Sequence, residues 1–249
     1  MGPRDIGYAV PSSPVRRSWS VVDFILIWLG GVLGSALFLG IGLSSGDRDL
    51  SLLLGLAGQY VGNLGVFWIL RRTKEDPDVG FVIRGTDVGY IALGLVLQIA
   101  VAMLILPLSN LLFPDGRPPQ EMADIISGAE TPVLQLGLVL AAVVLAPVTE
   151  ELMFRGVLLK ALEPRGRTSA LIVSSLAFTA VHLLGLDLEM LWQSAVVVLP
   201  PIFGLGLLLG WLTQRTGRLG PAIFLHSGWN LLAAFVLLLP EEVLQQIGS

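Results

Sequence analysis

The chain holds only two histidines, His182 and His226, and both lie inside apolar stretches. A third apolar stretch carries Glu150 and Glu151 side by side, with Arg155 four residues after the second. An ionisable group in a lipid-embedded helix costs about 2.5–3.5 kcal/mol on insertion scales, so such groups are retained for chemistry, proton movement or transport. On a helix, residues i and i+4 share a face while immediate neighbours diverge by about 100°. Glu151 and Arg155 therefore read as an ion pair along one face, and Glu150 points elsewhere with no partner in its own helix. A carboxyl left alone in a low dielectric suits a general base or a proton carrier. Phe178 and His182 share a face in the next stretch, as do His226 and Asn230 in the last. Each of these pairs alone reads as a hydrogen-bonded core contact or interhelical glue. Together with Glu150 they read as a polar site assembled from three helices. Pro147, three residues before Glu150, removes one backbone hydrogen bond and is placed to kink the helix beside that site.

The elements that must hold these residues are membrane spans. Hydrophobic residues make up 54% of the 249 and charged ones 14%, with a mean hydropathy of +0.79. A soluble domain carries about a quarter charged residues, so the composition predicts an all-α, polytopic helix bundle in the cell membrane. No cysteine is present, which excludes disulfides, thiol nucleophiles and thiolate metal sites. Basic residues are scattered through short loops, and nothing points to nucleic acid. A bilayer core about 30 Å thick needs about 20 apolar residues per helix. Seven stretches meet that length: 20–43, 50–70, 90–113, 132–162, 169–186, 190–212 and 220–239. The first is too long for a cleaved signal and lacks a small-x-small site, so it is expected to be a retained span. The Arg16–Arg17 pair lacks the flanks of a twin-arginine signal. The fourth stretch is over-long. The sixth contains Pro200–Pro201 and is expected to be broken or re-entrant.

Basic residues set the orientation. Arg4, Arg16, Arg17, Arg71, Arg72, Lys74, Arg84, Lys160, Arg165, Arg167, Arg215 and Arg218 fall on one side, against Arg48 and Arg117 on the other. The C-terminal tail carries Glu241 and Glu242 and no basic residue. This asymmetry predicts a cytoplasmic N-terminus and an exterior C-terminus, which requires an odd number of spans. The chain then divides into a cytoplasmic tail (1–19), three accessory spans (20–113), an exterior loop (114–131), a functional core (132–239) and an exterior tail (240–249). The accessory spans have no ionisable group in their middles: Asp23 sits at an interface, and Gln59, Asn63 and Gln98 are uncharged. The exterior loop, with Pro118–Pro119 and an amphipathic piece (Met122, Ile125, Ile126), is read as a connector rather than a lid. Gly206-x-x-x-Gly210 is read as intramolecular helix packing. At 1.5 Å per residue, Glu150 lies about 15 Å from Lys160 and His182 about 21 Å from Thr168. His226 and Asn230 lie about 10 and 16 Å from Leu219. All these depths are measured from the same membrane face and overlap near the bilayer midplane.

Glu150-Glu151-x-x-x-Arg155, Phe178-x-x-x-His182 and His226-x-x-x-Asn230 resemble, in order, the three motifs of the CAAX protease and bacteriocin-processing family, which includes the type II CAAX prenyl endopeptidase. The resemblance covers about residues 130–235; the first three spans resemble the family only in being apolar. It implies an intramembrane glutamic endopeptidase. In that reading Glu150 activates a water and His182 helps to hold it. His226 and Asn230 donate to the tetrahedral oxyanion, with Glu151, Arg155 and Phe178 in support. No cofactor is implied. The substrate would be a peptide or a membrane-anchored protein, lipidated ones included.

Other intramembrane protease signatures are absent from the sequence: there is no His-Glu-x-x-His pair, no Gly-x-Gly-Asp, and no serine placed as in a rhomboid. Zinc held by Glu150, His182 and His226 is the alternative cofactor reading. Two further alternatives are a proton-coupled transporter, which the lack of inverted repeats opposes, and a non-catalytic immunity or partner-binding membrane protein.

Overall fold

The structure is a computed structural model and describes residues 18–114, 125, 128 and 131–238. Seven helices cover most of these residues. They are α1 (Val21–Leu43), α2 (Arg48–Arg71), α3 (Gly89–Leu112), α4 (Pro132–Arg165, in several joined segments), α5 (Arg167–Val181), α6 (Leu191–Thr216) and α7 (Gly220–Leu237). Their ends carry the sequence signals that terminate helices. Ser20 and Asp23 form a capping box at the start of α1, and the Asp47 side chain accepts from the Leu50 N–H at the start of α2. Thr131 caps α4, with Pro132 in its first turn. Such caps satisfy N–H groups that have no carbonyl one turn back. Gly217, at φ +69°, turns the chain out of α6 in a left-handed conformation that a side chain would disfavour.

Six spans, α1 to α6 with α5 counted through its 3₁₀ extension to Gly185, are long and apolar enough to cross a membrane. The 18-residue α7 is packed among them. The protein is therefore a multi-pass membrane protein. Large apolar side chains such as Leu33, Leu104 and Leu111 stand 69–76% exposed on the outside of the bundle. In water that surface would aggregate; in a bilayer it meets lipid. The basic segments converge on one end. Lys74 Nζ lies 2.7 Å from Asp23 Oδ2, Lys160 Nζ lies 3.8 Å from Asp78, and Arg218 grips both oxygens of Asp87 at 2.8 and 3.1 Å. The Gly80 carbonyl accepts from the Leu219 N–H at 2.8 Å, so the α2–α3 loop crosses the start of α7. Arg4, Arg16, Arg17, Arg117, Glu241 and Glu242 lie outside the described residues, as do Met122 and Ile126 of the exterior loop; Ile125 packs near Leu134 and Leu138.

The spans depart from expectation at the sixth and show added detail in the fifth and fourth. The sixth is neither broken nor re-entrant: α6 runs unbroken through Pro200–Pro201, because two prolines withdraw only the hydrogen bonds to carbonyls 196 and 197 while the flanking turns hold the axis. The α-helical part of the fifth span stops at Val181, and His182–Gly185 is a tighter 3₁₀ turn. The fourth is over-long, as expected, at 34 residues, and it contains two π-helical stretches, Ala141–Leu145 and Leu152–Leu159.

Glycines set how closely α1 and α2 approach. A Cβ on Gly62 would stand 2.0 Å from the Gly30 carbonyl oxygen, and one on Gly34 would stand 2.2 Å from that of Gly58. Gly30-x-x-x-Gly34 and Gly58-x-x-x-Gly62 thus form a backbone-to-backbone seam, the small-residue packing that works where lipid supplies no hydrophobic drive. The expected seam at Gly206 and Gly210 is intramolecular, packed on Ser175 and Leu171 of α5.

Candidate active site

The site is built around α4, and its irregularity has a local cause. In the π turn Ala141–Leu145 the Ala146 N–H reaches back to the Ala141 carbonyl. The same register would require Pro147 to donate to the Ala142 carbonyl, and proline has no N–H. That carbonyl is satisfied from another helix: Asn230 Nδ2 of α7 donates to it at 2.8 Å. Single π turns recur inside helices at functional sites. Here one immediately precedes the glutamate pair.

Glu151 and Arg155 are wholly buried and pair at 3.0 Å, as their spacing predicts. The second Arg155 amino group donates to the Gly206 carbonyl of α6 at 3.0 Å, and the guanidinium lies 4.4 Å from the Phe178 ring centroid. Glu151 Oε1 also meets His226 Nδ1 at 3.0 Å, so one carboxylate oxygen joins α4 to α7 while its pair with Arg155 links it to α6. A buried charge is tolerable only when paired and hydrogen-bonded. The chain Gly206–Arg155–Glu151–His226 meets that condition at all but two atoms, Glu151 Oε2 and Arg155 Nε, which have no partner.

Glu150 faces the other way, as its position next to Glu151 requires. Its side chain is 30% exposed, and Oε2 lies 3.8 Å from His226 Nε2. His226 therefore stands between the two glutamates, one at each ring nitrogen. His182 occupies the junction where α5 gives way to the 3₁₀ turn. Its Nδ1 lies 2.8 Å from the Phe178 carbonyl. A carbonyl only accepts, so Nδ1 carries hydrogen and Nε2 is left for other work. The Phe178 ring sits between the two imidazoles, with centroids 4.8 Å from His182 and 5.7 Å from His226.

Glu150 and His182 line one cavity of about 720 Å³. His226 lies behind Glu150, while Asn230, one turn further along α7, has an amide hydrogen committed to Ala142. The far wall comes from α1 and α2, including Trp28, Gly31, Gln59 and Asn63. That wall was not foreseen from residue chemistry, because its polar groups are uncharged and scattered; the paired Gly-x-x-x-Gly spacings of α1 and α2 were the available signal. Among the described residues no three His, Asp or Glu side chains are grouped to hold a metal ion.

Residues 132–232 match the family model described as type II CAAX prenyl endopeptidase Rce1-like, which bears out the resemblance carried by the three motifs. The match spans Glu150 through Asn230 and leaves α1, α2 and α3 outside. No curated protein and no solved structure matches the chain. At the level the match supports, the segment from α4 to α7 is similar to CAAX-type membrane endopeptidases.

Proposed function

We propose that the chain hydrolyses a peptide bond inside the membrane, with Glu150 as general base. The observation that carries this is the position of Glu150: partly exposed on a cavity it shares with His182, and 3.8 Å from a histidine whose other nitrogen is fixed by a second, buried glutamate. In this mechanism a water lies between the Glu150 carboxylate and His182 Nε2. Glu150 takes a proton as the water oxygen bonds to the substrate carbonyl carbon. The carbonyl oxygen becomes an oxyanion, and His226, protonated on Nε2 while Glu151 holds Nδ1–H, donates to it. Asn230 contributes its second amide hydrogen. The C–N bond then breaks as the proton on Glu150 passes to the leaving nitrogen, giving a carboxylic acid and an amine, and the acid's proton then passes to the amine to leave a carboxylate and an ammonium group. General base catalysis of this kind is worth about 10²–10⁴-fold, and an oxyanion donor about 10²–10³-fold.

The arrangement around His226 supports the assignment of roles. Arg155 neutralises Glu151, so the Glu151–Arg155 pair orients the ring without competing for the substrate proton. Glu150 has no arginine or lysine partner among the described residues and is left free to take up a proton. The apolar cavity walls suit a lipid-bearing substrate, and the family match makes a prenylated C-terminal peptide the first candidate.

The test is incubation of purified protein in detergent with a peptide ending in a farnesylated cysteine followed by three residues. Release of the terminal tripeptide is expected from wild type. Glu150→Gln, which keeps shape and removes the base, should lower the rate by about 10²–10⁴-fold while the protein elutes and melts as wild type does. Dialysis against a chelator should leave the wild-type rate unchanged. Glu150→Gln turnover near the wild-type rate would overturn the assignment.

A further inference from the structure

The reaction reading leaves one buried polar group of the cavity unused. Asn63 of α2 lines the same cavity as Glu150 and His182, is only 5% exposed, and its Oδ1 has no hydrogen-bond partner. An amide oxygen stranded in an apolar interior costs the desolvation it gave up, so such groups are nearly always paired when the protein is at work. The neighbouring helix makes room for this one. Residue 31 of α1 is glycine, and a Cβ there would lie 2.0 Å from Asn63 Oδ1 and 2.9 Å from Nδ2. Asn63 is also level with the chemistry: it lies eight residues from the basic end of α2 at Arg71, about 12 Å at helical rise.

An extended peptide drawn into this cavity brings its own unpaired N–H and C=O groups into a space walled mainly by Trp28, Phe154, Met153 and aliphatic side chains. Each of those backbone groups needs a partner there. A carboxamide matches a peptide group, since it offers one acceptor oxygen and two donor hydrogens. We propose that Asn63 is a substrate-positioning residue that hydrogen-bonds a backbone amide of the bound peptide across the cavity from Glu150, and that Gly31 exists to hold that carboxamide in place. The inference rests on the peptidase reading and extends it to α2, outside the segment that matches the family.

Binding and turnover separate the two claims. The probe is the farnesylated peptide used above, in a series with one backbone nitrogen methylated at a time, and with farnesol as a lipid-only control. Affinity is read in the non-cleaving Glu150→Gln protein. Asn63→Leu, with the same heavy-atom branching but apolar, should weaken peptide binding about ten-fold or more and leave farnesol binding unchanged. Gly31→Ala, which keeps Asn63 but displaces its carboxamide, should do the same. One methylation position should cost the parent protein affinity and cost the Asn63→Leu protein nothing. In the cleaving background the loss should appear in KM, with kcat largely kept. Equal binding by all three proteins, a methylation cost that persists in Asn63→Leu, or no peptide binding at all would overturn the inference. Asn63-dependent binding without hydrolysis by wild type would sink the reaction and keep the site. Normal hydrolysis with Asn63-independent binding would do the reverse. Thermal melting of each variant checks the fold.

Discussion

Two parts of this bundle enclose one cavity by opposite means. The helices α4, α6 and α7 meet through directional polar contacts: Glu151 with Arg155 and His226, Arg155 with the Gly206 carbonyl of α6, and Asn230 with the Ala142 carbonyl. The α1–α2 hairpin meets through shape, with glycines letting two backbones touch. The first kind of contact fixes atoms to within a hydrogen bond, which base and oxyanion chemistry requires. The second fixes the distance between two walls and leaves the lining side chains free to vary. A half built on polar order and a half built on packing tolerate quite different substitutions.

That contrast can be broken most severely at Arg155. Arg155→Leu strands the buried Glu151 carboxylate, and removing one partner of a buried pair costs about 3–5 kcal/mol. The expected result is a large fall in melting temperature together with loss of cleavage. A variant that melts like wild type would show that Arg155 does not hold the three helices together. Next come the histidines. His226→Ala and His182→Ala should each lower tripeptide release by about 10²–10³-fold while the protein still elutes as one species, since only one donor or water ligand is lost. Near-normal turnover in either would remove that residue from the mechanism. The hairpin should respond more gently. Gly62→Leu forces apart α1 and α2 at the point where its Cβ would meet the Gly30 carbonyl, and overpacking of this kind costs about 1–3 kcal/mol. It should raise KM more than it lowers kcat, because the wall moves and Glu150 does not. Equal losses in both would mean that the hairpin positions the catalytic groups as well.

Much of the polar half was legible before any coordinates. Ionisable residues in apolar stretches are few and costly, so Glu150, Glu151, Arg155, His182 and His226 announce themselves, and the four-residue spacing pairs Glu151 with Arg155 directly. What spacing does not reveal is which nitrogen of His226 meets which glutamate, since that depends on the approach of α7 to α4. Nor does it reveal the commitment of Asn230 to the Ala142 carbonyl, which follows from Pro147 and the π turn before it. The end of the α-helix at Val181 escaped notice because Leu183 and Leu184 continue the apolar run. The unbroken course of α6 through two prolines shows the flanking turns outweighing the loss of two hydrogen bonds. The hairpin's part in the cavity was hidden for a different reason. A glycine seam and one uncharged amide carry no charge signature, though Gly30-x-x-x-Gly34 and Gly58-x-x-x-Gly62 stood in the sequence throughout.

The central claim is that Glu150 activates water and does not itself attack the substrate. Single-turnover cleavage of the farnesylated peptide in ¹⁸O-labelled water, with enzyme in excess, tests it directly. Activated water predicts one ¹⁸O in the newly formed carboxylate and none in the Glu150 side chain, read by mass spectrometry of both products and enzyme. Unlabelled product with ¹⁸O on Glu150 would mean that the carboxylate is the nucleophile and would contradict the mechanism.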